Sequence, residues 1–349
     1  MKKDIRPLRS LASAPILLAE DRKGKLRLDM NENMLGCSPR AIKALRGLNA
    51  EDLAMYPEKG AAIARMAPHF GVHPAEMLLS NGIDDALRLI ADAFLETGRS
   101  ALLVEPTFPM YSFFAGQRDA RVRSLRYDSV LRFPLKQTLD ALRGGPSVFF
   151  LANPNNPTGT LLSTSELKKI LDAAKRALVV LDEAYYEFSG VTALPWIRRY
   201  KNLIVTRTFS KVTGLAGLRL GCVFGHEELI KILKRAESPF PVSIAAIACA
   251  EAALHDRAFI RQSARQIVRN RRYLEDRLRK LGARVAPSAT NFVLADFGVK
   301  GPDIVRKLAQ DEILVRDCER WFGRPGFVRI TVGTKAQMKR LLGALERHL

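Results

Sequence analysis

The chain predicts an α/β fold: a large domain built on a mostly parallel central sheet between helices, followed by a smaller α+β domain. Three observations predict it. Short, wholly apolar runs alternate with amphipathic segments through the middle of the 349 residues. Each run ends in a polar or glycine-rich loop. A stretch with two prolines, Glu237 to Val242, then changes the pattern to helices with a few strands.

The apolar runs come in order. "SALLVE" (Ser100 to Glu105), "SVFFLA" (Ser147 to Ala152), the run ending at Asp182 and the run opening at Asn202 are each too short for a helix. They are apolar on both faces, as strands buried inside a parallel sheet are. Helices fill the intervals. "STSELKKILDAAKR" places Ser163 and Glu166 at capping-box spacing. Asn81-Gly82 opens an amphipathic helix from about Ile83. The densest basic stretch, Val268 to Arg284, carries apolar residues at Val268, Tyr273, Leu274, Leu278 and Leu281. That spacing predicts a helix with a solvated charged face. "TNFVLADF", "ILVRDC" and "GFVRITVG" supply strands to the smaller domain. The expected division is an N-terminal arm over 1–30, a large domain over 31–240 and a small domain over 241–349.

Composition narrows the function. Hydrophobic residues make up 47% and charged residues 26%, enough for a substantial core at this length. No repeat, low-complexity run or bilayer-length apolar stretch occurs, so no membrane partner is expected. Leu11 to Ala19 imitates a signal peptide, but Asp4, Arg6, Pro7 and Arg9 interrupt its lead-in and Pro15 breaks it. An arm packed on the body or on a partner subunit is expected instead. Cys37, Cys222, Cys249 and Cys318 form no Cys-x-x-Cys pair, which argues for reduced thiols in a cytoplasmic protein and against a metal framework. The net charge of +20 suits nucleic acid, an anionic substrate or simply a basic surface. The cations are dispersed and no zinc-finger or RNA-binding motif appears, so no nucleic-acid partner is expected.

Ligands of parallel sheets bind beyond the carboxyl ends of the strands. Three polar segments fall there: Asn153 to Gly159, Asp182 to Tyr185, and Thr208 to Lys211. Asn156 and Asp182 are 26 residues apart, and Asp182 and Lys211 are 29 apart, each about one strand–helix repeat. The groups therefore converge on one sheet edge. A lysine amine forms Schiff bases with carbonyls. Asp182 suits a pyridinium N–H, and Asn156 and Tyr185 suit a phenolate. Thr208, Ser210 and Arg219 suit a phosphate, with the free amides of the helix opening near Ile83. Taken singly, each residue also has a structural reading: a surface lysine, a capping aspartate, a core tyrosine, a surface ion pair. Taken together they describe pyridoxal 5'-phosphate.

"ANPNNPTG", "LDEAYYEF" and "RTFSKVTGLAGLRLG", in this order, resemble the fold type I pyridoxal-phosphate aminotransferases, and most closely their histidinol-phosphate branch. The likeness extends through "LDMNENMLGCSP", "MYPE", "SNGIDDAL", "PTFPMY" and "VRITVGT". It implies a fold type I transferase that moves an amino group from histidinol phosphate to 2-oxoglutarate in histidine biosynthesis. It implies Lys211 as the catalytic lysine, Asp182 on the ring nitrogen, Asn156 and Tyr185 on the ring oxygen, and Tyr111 stacked on the ring. Thr208, Ser210, Arg219 and the amides of Ile83 and Asp84 would take the phosphate. Tyr56 would reach the other subunit's site, which implies a homodimer. Arg316, Arg329, Asn33 and Asn156 would face substrate. No metal is implied.

Two departures bear on the substrate. The arm "RPLRSLASAPILL" has no Tyr or Phe, and Met34-Leu35 stand where relatives carry Pro and an aromatic residue. A more apolar mouth suits an aromatic amino acid such as phenylalanine. Threonine-phosphate decarboxylases share the cofactor motifs and form another alternative. A cofactor-sensing nucleic-acid-binding protein is the reading from outside enzymology.

Overall fold

The computed structural model describes residues 22–349. Expectations for the arm before Arg22 lie outside the described residues. In chain order the strands are β1 (Leu26–Arg27), β2 (Met77–Ser80), β3 (Ser100–Glu105), β4 (Arg121–Arg126), β5 (Val148–Ala152), β6 (Leu178–Asp182), β7 (Leu203–Thr208) and β8 (Gly221–Gly225). Then come β9 (Arg284–Val285), β10 (Phe292–Asp296), β11 (Ile313–Leu314), β12 (Arg316–Asp317) and β13 (Phe327–Thr331).

Seven strands form the main sheet in the order β2-β8-β7-β6-β5-β3-β4. Only β8 runs against its neighbours, so the sheet is mostly parallel. Alternation along each strand feeds two cores. Leu102, Val104, Phe149, Leu151, Val179 and Leu181 join one cluster, while Ala101, Leu103, Val148, Phe150, Leu178 and Val180 join the other. Both faces are covered, which explains why these strands are apolar throughout and not alternating. The two rims differ. β2 is buried along its length, whereas β4 ("RVRSLR") leaves Arg121, Arg123 and Arg126 exposed.

An antiparallel sheet, β12-β13-β10-β9, carries the C-terminal part. Its core receives Ile267, Leu274 and Leu278 from the helix Arg257–Lys280 and Leu341 and Leu345 from the helix Lys335–His348. β1 pairs in parallel with β11, so the start of the described chain is tied to this part. The helix Ile244–Leu254 packs Ala246, Ile247, Cys249, Ala250 and Ala253 into the main-sheet core. The basic helix is less solvated than its composition suggests. Arg271 is buried, donates to the Thr290 carbonyl oxygen (2.6 Å) and pairs with Glu275 at 3.6 Å. Among the described residues no helix is long and apolar enough to cross a membrane.

Candidate active site

A cavity of about 600 Å³ opens where β5, β6 and β7 end. Strand register lines up its floor: Ala152 pairs with Asp182, and Asp182 with Thr206. Asp182 is buried at the centre. Its Oδ2 accepts from the Tyr111 hydroxyl (2.7 Å), and its Oδ1 accepts from the Ala184 amide (3.0 Å) and the Thr206 hydroxyl (3.3 Å). Burial pushes this carboxyl above its ordinary range, and the three hydrogen bonds pull the other way. All three donors are neutral, so an N–H cation placed in the cavity would supply the missing favourable charge.

Lys211 follows β7 and is partly buried in the cavity wall. Its Nζ donates to the Met30 carbonyl oxygen (3.2 Å). Burial first, then the charge of Arg329, lowers the amine from 10.5 to about 8. An amine held near neutrality is a usable nucleophile and base. The Tyr185 hydroxyl accepts from Asn31 Nδ2 (2.8 Å), and burial raises the phenol to about 12. It therefore stays a hydrogen-bond donor at physiological pH.

The rim beside the helix Gly82–Phe94 forms an anion cradle. Asn81 makes no side-chain cap there, so the first-turn amides lack an intrahelical partner. Arg219 crosses this end: its guanidinium reaches the Asp84 carboxylate (3.3 Å), the Ala216 carbonyl oxygen (3.1 Å) and Ser210 Oγ (3.5 Å). Arg219 itself adopts a left-handed backbone (φ 53°), an uncommon conformation for a non-glycine residue. Gly82 (φ 76°) makes room, because a Cβ there would lie 2.5 Å from Arg219 Nη2. Ser210 and Thr208 complete the cradle, and the Ser210 amide donates to Thr208 Oγ1 (3.0 Å). The neutral-donor carboxylate, the near-neutral lysine and this cradle fit pyridoxal phosphate.

The mouth lies opposite. Arg329 is buried and donates to Asn156 Oδ1 and to the Asp29 carbonyl oxygen, both at 2.5 Å. Its Nε is buried without a partner, and its guanidinium lies 5.4 Å from the Trp321 ring. Arg316 stands 4.0 Å from the Asp29 carboxylate. Arg22 grips Asp29 through two bonds (2.5 and 3.0 Å) and reaches Glu32 (3.2 Å), which Arg27 also holds.

Twelve of the residues expected from sequence line this one cavity: Lys211, Asp182, Tyr185, Asn156, Tyr111, Ile83, Asp84, Thr208, Ser210, Arg219, Arg316 and Arg329. Tyr111 is held from two sides. Its ring stacks on Phe150 (5.4 Å between centroids, 6° between planes), and its hydroxyl is committed to Asp182. Two expected residues do not line the cavity. Asn33 donates Nδ2 to the Val212 carbonyl oxygen (2.7 Å), and its Oδ1 accepts from the Leu35 amide (3.0 Å). Asn33, expected to face substrate, closes an Asx turn here and anchors the backbone next to Lys211. Tyr56 is exposed and stacks on Phe240 (4.0 Å), away from the cavity of its own chain.

Sequence reasoning missed Arg22, Arg27, Asn31, Glu32 and Trp321 at the mouth. The turn signal after Asn33, with Gly36 closing it, marks that asparagine as structural and leaves Asn31 as the one to face inward. Nothing local in the sequence marks Arg22 or Trp321.

A mostly parallel sheet whose strand ends converge a partly buried lysine, a buried aspartate and a helix-capped anion cradle defines a pyridoxal-phosphate enzyme of the aminotransferase fold. The chain belongs to the family of class I and II aminotransferases, whose family model matches residues 23–345. A histidinol-phosphate aminotransferase of Geobacillus sp. (strain WCH70) is 38% identical over 334 residues, covering 93% of this chain and 90% of the relative. The structure of histidinol-phosphate aminotransferase from Sinorhizobium meliloti in complex with pyridoxal-5'-phosphate matches at a TM-score of 0.85 and 27% identity, covering 93% of this chain and 90% of that one. L-threonine-O-3-phosphate decarboxylase from Porphyromonas gingivalis matches at 0.82 and 26% identity, covering 92% and 98%.

Proposed function

We propose that the protein is a histidinol-phosphate aminotransferase: it takes the amino group of L-histidinol phosphate and passes it to 2-oxoglutarate. The observation that carries this reading is the pairing of Lys211 with Arg329 and Arg316 in one cavity. An amine-transfer centre and two guanidinium forks for anions share a single space, and such forks suit phosphate and carboxylate alike. The relatives of moderate identity and nearly full coverage point the same way.

Bound there, pyridoxal phosphate supplies a carbonyl to capture the donor amine and a cationic ring to accept charge. Residue by residue, Lys211 Nζ takes the proton from the donor Cα and returns one. Asp182 holds the ring N–H and keeps the ring cationic. Tyr185 and Asn156 donate toward the ring oxygen, and Asn31 fixes the Tyr185 hydroxyl. Thr208, Ser210, Arg219 and the amides of Ile83 and Asp84 hold the phosphate. Tyr111 orients Asp182 through its hydroxyl.

The working assembly in this reading is a homodimer. Tyr56, Leu53, Met55 and Phe240 are exposed large apolar side chains, and Tyr56 already stacks on Phe240. Such a patch suits a second copy of the chain, with Tyr56 entering that copy's cradle. All four cysteines are free thiols, in keeping with a cytoplasmic setting. For the small lobe we propose a start after the helix Ile244–Leu254, because that helix packs into the main-sheet core.

The test is an absorption spectrum of the cofactor-loaded protein before and after adding L-histidinol phosphate, L-phenylalanine or O-phospho-L-threonine. A loss of the cofactor's visible band with L-histidinol phosphate is expected. A response to phenylalanine alone would replace the substrate and keep the reaction class.

A further inference from the structure

Two carboxylates at the mouth are wired unevenly. Asp29 is buried and sits behind the cavity wall: Arg22 grips its carboxylate twice, and its carbonyl oxygen accepts from Arg329. Glu32 faces the cavity, with its side chain 27% exposed. It takes one bond from Arg22 (3.2 Å) and two from Arg27, one of them at 3.1 Å. Arg22 and Arg27 also line the cavity. Asp29 is thus a fixed anchor, while Glu32 sits at the place an incoming anion would take between two guanidiniums.

We propose that Glu32 is an internal counter-ion that sets the charge a ligand must carry to occupy the Arg22–Arg27 fork. This rests on the aminotransferase reading above. Exchanging the carboxylate of Glu32 for another monoanion replaces one unit of attraction by an equal one. Exchanging it for a phosphate dianion doubles the charge facing two cations. The fork therefore opens more readily to a donor with a distal dianion than to one with a distal carboxylate, which is held without displacing Glu32. Glu32 would then be a specificity-determining residue. Its charge also acts on Lys211, in the direction that favours the ammonium form.

The experiment uses the full-length, cofactor-loaded protein, wild type and Glu32→Gln, titrated with L-histidinol phosphate and with L-glutamate while the cofactor band is followed. Wild type is expected to prefer the phosphorylated donor. In Glu32→Gln the glutamate affinity is expected to tighten more than the phosphate affinity, so the preference narrows by about tenfold. Glu32→Asp is expected to restore most of it. An unchanged preference in Glu32→Gln, or equal weakening of both ligands, overturns the proposal. Inorganic phosphate and acetate, titrated calorimetrically into the same proteins at pH 8, judge Glu32 without any donor. Wild type should favour phosphate, Glu32→Gln should favour it less, and Arg22→Ala/Arg27→Ala should lose the preference; the same gap in all three overturns the proposal. A wild type silent to L-histidinol phosphate but showing the ion pattern would sink the substrate reading alone.

Discussion

The floor and the mouth of the cavity are built by different means. The floor hangs on adjacent strands in register, so Asp182, Thr206 and the loop carrying Lys211 are fixed by the backbone ladder of one sheet. Its central carboxylate is held by neutral donors only. The mouth is assembled across the chain. Asn31 meets Tyr185 over 154 positions, and Arg329 meets Asp29 over 300. Its outer contacts, Arg22 and Arg27 on Glu32, are charged, partly exposed and exchangeable. A rigid ladder is suited to holding atoms for chemistry, while exchangeable ion pairs are suited to choosing between ligands. Damage to the floor should cost rate, and damage to the mouth should cost choice.

The sharpest break falls on the floor. Lys211→Ala is expected to lower turnover by at least ~10³-fold, because one group serves as both nucleophile and base. Cofactor retention, followed by equilibrium dialysis, should persist through the cradle at Gly82 and Arg219. Turnover near the wild-type rate would place the chemistry on another residue.

The next effect is on stability. Lys211 titrates at about 8 in the folded protein against an ordinary 10.5. A lowered value means that the partly buried ammonium destabilises the fold below about pH 8. The penalty is relieved as pH rises from there toward 10.5, because over that window the unfolded chain binds the extra proton. In the cofactor-free protein, Lys211→Met should therefore be the more stable form at pH 7 by about 3 kcal/mol. That margin should shrink by pH 10, as read by urea melts of both proteins. A margin that does not change with pH would mean that the amine is hydrated.

The smallest effect separates the two asparagines at the mouth. Asn33→Ala removes a hydrogen bond to the Val212 backbone and a turn closure, so a loss of about 1 kcal/mol in stability is expected with donor selectivity intact. If urea melts are unchanged while the ratio of KM values for L-histidinol phosphate and L-glutamate moves, Asn33 does reach substrate and the line between wall and mouth must be redrawn.

The same contrast explains what was legible in the sequence. β3 was bounded by its apolar run and the helix Thr164–Ala173 by its Ser163–Glu166 capping box, both of which are local signals. The floor followed, because parallel sheets bring consecutive strand ends together. β8 was not legible: "GCVFG" is too short to reveal that it runs antiparallel between β2 and β7. "ILVRDC" was legible as extended chain but not as two strands, β11 and β12, that pair with different partners. Arg22 and Trp321 reach the cavity only through tertiary contacts, and no spacing announces them. Asn31 and Asn33 lie in one short motif, and only the turn chemistry at Asn33 distinguishes the one that lines the cavity from the one that anchors the wall.

The exposed rim at β4 has a consequence for the chain's life in a crowded solution. An unpaired strand edge is a template on which another chain can anneal, and the opposite rim is buried. Arg121 and Arg123 stand out from β4 two positions apart, in a protein carrying a net charge of +20. A second copy sliding up to extend the sheet would bring a like row of guanidiniums against this one. Part of the basic character that looked like a search for a polyanion thus serves to keep the sheet from growing into its neighbours.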